Sequence, residues 1–284
     1  VAIHGNFDNA QSGVKQMFED QELAKELADK GYQFSSANSI NIGRLVPQVA
    51  YYVYAYTKLL ANGEIKDGEK INVVVPTGNF GNILAAYYAK NLGVPIAKLI
   101  CASNDNKVLY DFFQTGTYDK NREFVLTTSP SMDILISSNL ERLIYLICGE
   151  DSEKTKELME ELKTTGKYTI TPEMKEKLAD FAAGYSTEEE TAESIHDTYQ
   201  KTGYVMDTHT AVAAHVCGQY RAKSGDQTKC VIASTASPYK FVKSVMSAID
   251  AENANADEFD LLPKLQEVSG VPMPQAIKDI LDAK

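Results

Sequence analysis

Three short segments of this chain combine the residue types that bind phosphorylated or carboxylate-bearing small molecules. Each is rich in hydroxyl or amide side chains, and each follows a predicted strand. The segments are residues 36–44 (SANSINIGR), 75–82 (VPTGNFGN) and 234–241 (STASPYKF). Because ligands bind at the carboxyl ends of strands in open parallel sheets, these segments are the candidates for a binding site.

The segment that contains Gly78 and Gly81 is the strongest of the three. The two glycines let the backbone turn tightly and bring several N–H groups to one place, and a following helix start adds partial positive charge. Such a loop holds a phosphate without Lys or Arg. It lacks both the GxGxxG spacing of a dinucleotide site and the GK[ST] of a Walker loop. From spacing alone, a tight structural turn explains it equally well.

The first segment offers small polar side chains that donate hydrogen bonds, and one arginine that can bind an anion through two hydrogen bonds. Asn38, Ser39 and Asn41 precede Arg44, and this set suits a carboxylate or a phosphate ester. The alternative is that Asn38 or Ser39 only caps a helix and that Arg44 lies on the surface.

The third segment has a hydroxyl at a strand end. A hydroxyl at a strand end can hydrogen-bond a ring nitrogen without protonating it, whereas Ser237 followed by Pro238 is also an ordinary helix start. A fourth candidate lies upstream, where Asp207 is predicted to cap a helix and His209 to point either into the site or into solvent.

Composition and charge restrict the partners. The 284 residues include 28 Lys and Arg against 39 Asp and Glu, for a net charge of −11. A disordered chain or a small disulfide scaffold is excluded, and the acidic balance argues against nucleic acid and anionic membranes. We expect a soluble cytoplasmic protein without a metal site, whose four cysteines are free thiols and whose ligand is a small molecule.

Strands and helices alternate along the chain. The β-branched run at residues 71–75 is the clearest strand, and further strands are predicted at residues 32–35, 96–101 and 230–233. This order predicts an α/β fold, an open, mostly parallel twisted sheet with helices on both faces. Asp8 and Gln11 are predicted to form a capping box that opens a helix ending at Gly31, and a long helix is predicted from the polar turn at residues 36–41 to residue 62. Charged helices with solvated faces are predicted at residues 151–163, 172–183 and 187–202.

Taken together with residues 5–11 (GNFDNAQ) and 207–212 (DTHTAV), the three segments resemble threonine synthase, a pyridoxal-phosphate enzyme of fold type II. The resemblance implies conversion of O-phospho-L-homoserine and water to L-threonine and phosphate, with pyridoxal 5'-phosphate as cofactor. It also implies the role of each site residue. The cofactor would contact Gly78, Asn79, Phe80, Gly81, Asn82 and, at the ring nitrogen, Thr235. The substrate would contact Asn38, Ser39, Asn41 and Arg44.

One feature of that family is missing from this sequence. The family's Schiff-base lysine lies in an FKD motif, which occurs nowhere in the chain, and Lys15, Lys58 and Lys240 have different neighbours. The catalytic lysine is therefore unknown here. We expect it on a missing N-terminal segment of the same protein, without which the chain is inactive.

The beginning of the chain supports the same expectation, because Val1 is not a methionine and opens a strand-like run. The resemblance then assigns residues 1–34 to the end of a smaller domain. Residues 35–284 would form the large cofactor-binding domain, with an acidic helical insertion around 150–203 and a helical C-terminal tail.

Two other functions remain open. One is a different type II pyridoxal-phosphate enzyme, such as a serine or threonine dehydratase, against which the NSIN run at residues 38–41 and the long acidic insertion argue. The other is a non-catalytic module that binds a phosphate-bearing ligand, which the missing lysine would permit.

Overall fold

A computed structural model describes residues 4–5 and 7–283 of the chain. The strands are β1 (Ile71–Pro76), β2 (Ile96–Ser103), β3 (Thr117–Asp119), β4 (Lys167–Thr169), β5 (Phe181–Tyr185) and β6 (Cys230–Ile232). The helices are α1 (Phe7–Glu19), α2 (Gln21–Asp29), α3 (Ile42–Leu45), α4 (Val49–Ala61), α5 (Gly81–Asn91), α6 (Val108–Thr115), α7 (Leu140–Ile147), α8 (Ser152–Thr165), α9 (Pro172–Glu176), α10 (Glu188–Thr202), α11 (Thr208–Ser224), α12 (Val242–Ile249), α13 (Glu258–Ser269) and α14 (Gln275–Asp282).

The central sheet has the strand order β5-β2-β1-β6, and each neighbouring pair is parallel. Within β1, Val73 lies opposite Leu99 of β2 and Val231 of β6. Every residue of β1 is buried, as expected for a strand whose two faces are both covered by helices. The prediction of an open parallel sheet is confirmed.

Successive residues of β1 face different cores, because side chains alternate across a strand. Val73 and Val75 belong to the larger cluster, together with Ile83 of α5. Val74 packs in a second cluster with Val212 of α11. Helices therefore cover both faces of the sheet.

A third apolar cluster joins the helices in the second half of the chain. Ile195 of α10, Val245 of α12 and Leu265 of α13 are buried in it, so the helical tail packs on α10 and α12. Among the described residues, no helix combines the length and the apolar composition needed to cross a membrane.

The helix predicted over residues 172–183 is wrong in its second half. Helix α9 ends at Glu176, and Phe181 begins β5, the edge strand that pairs with β2. Phe181 is buried against the rings of Tyr87 and Phe113, at 5.3 and 5.4 Å between centroids. An apolar run that buries one large ring and pairs its backbone is more stable as a strand, so residues 150–203 are not purely a helical insertion.

Two other predicted elements also differ from the structure. Residues 32–35 form no strand, because within the described part of the chain no strand runs beside them to complete a ladder, and Tyr32 is 69% exposed. The long helix predicted before residue 62 is divided into α3 and α4. Pro47 lies in the 3₁₀ turn between them, where its missing N–H breaks the helical hydrogen-bond pattern.

The first helical region is likewise divided. Asp20 accepts hydrogen bonds from Glu22 N and Leu23 N, each at 3.0 Å, and so begins α2 before the predicted end at Gly31. The strand predicted for the first residues and the capping pair of Asp8 and Gln11 lie outside the described residues and side chains. The domain boundary after residue 34 stays a prediction.

Candidate functional site

The glycine loop lies where the strand order of the sheet reverses. Residues 77–80 connect β1 to α5, and from β1 the sheet continues through β2 to β5 on one side and to β6 on the other. Ligands of open α/β sheets bind outside the carboxyl ends of strands at such a reversal. The loop therefore occupies the position where the fold itself favours a binding site.

Both glycines of the loop are in positions that admit no side chain. A Cβ atom at Gly78 would lie 2.4 Å from the backbone oxygen of Ser131, and one at Gly81 would lie 2.2 Å from Ser39 Oγ. Between them, Phe80 adopts the left-handed conformation with φ of 62°. The close approach of the neighbouring segments explains why the sequence has glycine at these two positions.

The loop offers backbone donors that the protein does not use itself. No acceptor among the described residues takes a hydrogen bond from the backbone N–H groups of residues 78–83. The last three belong to the first turn of α5, whose N-terminal end carries partial positive charge. This donor set, at the start of an 11-residue helix, fits a phosphate group without the help of a cationic side chain.

The segment at residues 36–44 contacts this loop directly. Asn79 Nδ2 donates to Asn38 Oδ1 at 2.9 Å, and the same oxygen accepts Ile40 N at 3.0 Å. Ser39 lies against Gly81. Asn38 and Ser39, which are far from the glycine loop in sequence, therefore join it at one place.

Asn41 and Arg44 have different surroundings. Asn41 caps α3 by accepting Gly43 N at 2.9 Å, and its Nδ2 donates to Ser36 O at 3.1 Å. The predicted alternative that Asn38 or Ser39 is the cap is therefore wrong. Arg44 is exposed and its Nε donates to Ala37 O at 3.3 Å, while its Nη atoms contact no acceptor within the described residues.

A further polar segment, residues 137–142, connects the two others and was missed from the sequence. Asn139 Nδ2 donates to Asn79 O at 2.9 Å and to Ser39 Oγ at 3.2 Å. Arg142 donates to the carbonyl oxygens of Ser39 and Ile40 at 3.2 and 2.8 Å. The only sequence signal was the SSN run before an amphipathic helix, which is also an ordinary helix start.

Ser137 and Ser138 complete the contact with the glycine loop. Ser137 Oγ donates to Gly78 O at 2.7 Å, and Ser138 N donates to Asn79 Oδ1 at 3.0 Å. Ser138 Oγ is buried and makes no hydrogen bond within the part of the chain that the structure describes. The loop is thus held through its carbonyl groups and side chains, which leaves its N–H groups available.

Thr235 lies on the neighbouring strand connection. Ala233 N donates to Val74 O at 2.9 Å, so the chain leaves β6 beside β1 at the same carboxyl edge. Thr235 is exposed, and no hydrogen bond to its hydroxyl is found among the described residues. Ser237 Oγ accepts Tyr239 N at 3.3 Å, which confirms the structural interpretation of Ser237.

Asp207 and His209 make structural contacts at the start of α11. Asp207 caps α11, since its Oδ1 accepts His209 N at 2.9 Å and Thr210 N at 3.3 Å. Burial opposes ionisation of Asp207, but hydrogen bonds from His209 and Thr210 outweigh it and lower the pKa of the carboxyl. His209 is buried and its Nε2 accepts Ser131 N at 3.2 Å, so the ring holds the segment next to Gly78 instead of pointing to solvent.

Comparison with known proteins extends over almost the whole chain. Residues 210–282 match the family model described as threonine synthase, C-terminal. The chain is 42% identical over 275 residues to the human protein named threonine synthase-like 1, covering 96% of this chain and 37% of that protein. It is 37% identical over 279 residues to threonine synthase of Saccharomyces cerevisiae, covering 93% and 53%.

Solved structures show the same relationship. The yeast threonine synthase structure superimposes with a TM-score of 0.77 at 34% identity, over 99% of this chain and 58% of that one. A pyridoxal-phosphate-bound threonine synthase from Brucella melitensis gives 0.75 at 41% identity, over 87% and 50%. The chain spans about half the length of these synthases.

The agreement is thus in sequence and in fold at once. The chain is therefore similar in sequence and in fold to threonine synthases, and its residues 210–282 match the C-terminal model of that family.

Proposed function

We propose that the protein to which this chain belongs is a pyridoxal-phosphate-dependent lyase that converts O-phospho-L-homoserine and water to L-threonine and phosphate. Two findings on relatives support the proposal, namely the 37% identity with yeast threonine synthase and the pyridoxal phosphate bound in the Brucella structure. One observation on this chain carries it. The hydrogen bond between Asn79 and Asn38 joins two segments suited to anions, as a phosphorylated substrate beside a phosphorylated cofactor requires.

In this proposal the glycine loop holds the cofactor phosphate. The N–H groups of Gly78 to Asn82 are the donors, and the neighbouring segments keep the loop in place through Ser137 and Asn139. The cofactor, when bound, would supply an electron sink for removal of a proton from the amino-bearing carbon of the substrate. Thr235 contributes an uncharged hydroxyl at the ring nitrogen, which orients the ring without adding a charge to it.

The substrate groups are assigned to the segment at residues 36–44. Arg44 is the cation for the substrate phosphate, because its Nη atoms are not engaged by the described residues and an arginine binds phosphate in a bidentate manner. Asn38 and Ser39 add short polar contacts beside it. Asn41 is engaged in the cap of α3, so its part is to hold this segment in shape.

The lysine of the family is outside this sequence in our proposal. No FKD motif occurs in the chain, so the chain alone binds ligand without turnover and requires the N-terminal part of the protein for activity. We place that protein in the cytoplasm, with the substrate as its small-molecule partner.

The reaction is tested on the protein that includes the N-terminal part. Purified protein is given O-phospho-L-homoserine, and released phosphate and L-threonine are measured together. Equal amounts of both products support the proposal, whereas deamination of threonine with no action on phosphohomoserine refutes it in favour of a dehydratase. Arg44→Gln is expected to raise KM. Arg44→Lys, which keeps the charge but loses the bidentate geometry, is expected to raise KM less.

A second candidate is a protein of this family that binds a phosphate-bearing ligand without forming threonine. The absence of an FKD motif from the chain favours it. Equilibrium dialysis of pyridoxal phosphate against the protein with its N-terminal part separates the two, because binding without any product supports the second candidate alone.

A further inference from the structure

Two cysteines pack in one apolar cluster on the side of the sheet covered by α11. Cys217 belongs to α11 and is 5% exposed, and Cys230 begins β6 and is partly exposed. Both pack in the cluster that contains Val74, and each thiol shifts the pKa of the other. The proposed function uses neither of them.

A partly buried cation lies beside this pair. Arg221 follows Cys217 by one helical turn, and its Nη2 donates to Thr228 O at 3.2 Å. Its Nε is buried and makes no hydrogen bond within the described chain. A buried donor without an acceptor is unfavourable, and an anion at Cys230 would remove this cost.

The surroundings of Cys230 favour its ionised form. Hydrogen bonding from Cys217, the charge of Arg221 and hydrogen bonding from Asn72 lower the pKa of the Cys230 thiol despite its burial. The sulfur contacts one carbonyl, that of Thr228, at a long 3.5 Å. The same interaction and burial raise the pKa of Cys217.

The other two cysteines have different surroundings. Burial raises the pKa of the Cys101 thiol to about 12. Cys148 Sγ lies 3.2 Å from Tyr145 O and 3.4 Å from Asp151 O. The surroundings of Cys230 thus favour its anion, whereas those of Cys101 favour the neutral thiol.

We propose that Cys230 and Cys217 form a thiol pair that reacts with hydroperoxides to give an intramolecular disulfide. The Cys230 thiolate attacks one peroxide oxygen, the O–O bond breaks, and the leaving hydroxide takes a proton to become water. The resulting sulfenic acid is attacked by Cys217, the S–O bond breaks, and a second water leaves. In sum, two thiols lose two electrons and two protons, and one hydrogen peroxide is reduced to two waters.

This inference is independent of the proposed enzymatic function. It does concern the same sheet, because β6 leads directly to Thr235. A bond between α11 and β6 ties that strand to the helix that covers it.

The first experiment treats the native chain with equimolar hydrogen peroxide, blocks remaining thiols and maps the peptides by mass spectrometry. The expected product is one crosslinked peptide pair containing Cys217 and Cys230, with Cys101 and Cys148 recovered as blocked thiols. In Cys217→Ser, Cys230 is expected to accumulate as sulfenic acid, which dimedone traps. Cys148→Ser is the matched control and leaves the crosslink unchanged.

The second experiment measures the pH dependence of iodoacetamide labelling of the native chain. The labelling rate of Cys230 is expected to level off near neutral pH and to exceed that of Cys148 about threefold to tenfold at pH 7, since an ordinary thiol is only a few per cent ionised there. Arg221→Gln is expected to move the Cys230 profile to higher pH, whereas Arg221→Lys restores most of it. Circular dichroism confirms that each variant is folded.

Three results overturn the proposal. They are a Cys230 pH profile that coincides with that of Cys148, oxidation of Cys230 without a link to Cys217 in the unmodified chain, and a crosslink that involves Cys101 or Cys148. Should Arg221→Gln fail to fold, the unmodified chain and Cys217→Ser still decide the question.

Discussion

Replacement of Gly78 by alanine tests the close packing on which the candidate site depends. The added methyl would lie 2.4 Å from Ser131 O and 3.2 Å from Met132 Cα, and both are backbone atoms that cannot rotate away. The backbone of one segment must shift, so the substitution resembles overpacking of a core, which costs about 1–3 kcal/mol. The same shift displaces the N–H groups of the loop.

Gly218→Ala is the matched control, because the same methyl is added where there is room. Gly218 lies inside α11, and no other atom lies within 4 Å of the position of its Cβ. Alanine is favoured over glycine inside a helix by roughly 0.5–1 kcal/mol, so this variant is expected to be more stable than the unmodified chain.

Urea unfolding followed by circular dichroism measures both variants. The free energies of unfolding are expected to differ by about 1.5–4 kcal/mol in favour of Gly218→Ala. Equilibrium dialysis with pyridoxal phosphate is expected to show weaker binding for Gly78→Ala and unchanged binding for Gly218→Ala. Equal stability of the two variants would refute the packing argument, and unchanged binding by Gly78→Ala would refute the assignment of the phosphate site.

Three further substitutions are expected to have defined effects on stability. Glu150 is exposed with φ of 65°, a conformation that asparagine tolerates, so Glu150→Asn should raise the free energy of unfolding by up to about 1 kcal/mol, and Glu150→Ala should not. Leu99 is fully buried in β2, so Leu99→Ala should lower the urea-unfolding free energy by about 2–5 kcal/mol. The pKa of Asp207 in the folded state is lower than its ordinary value of 3.8. Above pH 3.8 the ionised carboxyl therefore stabilises the fold. This stabilisation is lost as the pH falls through the folded pKa. Asp207→Asn should therefore weaken the acid dependence of unfolding below pH 3.8, and an unchanged acid dependence would count against this role.

Local pattern was sufficient for those elements whose residues all face one kind of environment. The run at residues 71–75 is β-branched at every position except Asn72, and it became the fully buried β1. Asp207 was predicted as a cap from its type and position, and it caps α11. In these cases the backbone conformation is determined by neighbouring residues in the sequence or by a uniformly apolar environment.

The local sequence pattern gave wrong predictions where a segment distant in the sequence decides the conformation. Residues 181–185 follow a good helix start, yet they form β5 because the edge of β2 was free to pair with them. Residues 32–35 carry strand-forming residues but remain irregular, since within the described chain no edge lies beside them. A strand forms only when a second strand pairs with it, and the sequence of one segment does not show where its partner lies.

The candidate site likewise has features that the sequence shows and contacts that only the structure shows. The sequence by itself pointed to the glycine loop, the polar segment from Asn38 to Arg44, the hydroxyl of Thr235 and the resemblance to threonine synthase, because these depend on residue types in a fixed local order. Only the tertiary structure decided that Asn139 and Arg142 connect two of these segments, and that Cys217 and Cys230 pack in one cluster. Such contacts join residues far apart in sequence, and their geometry follows from how helices and strands pack, which no local spacing encodes.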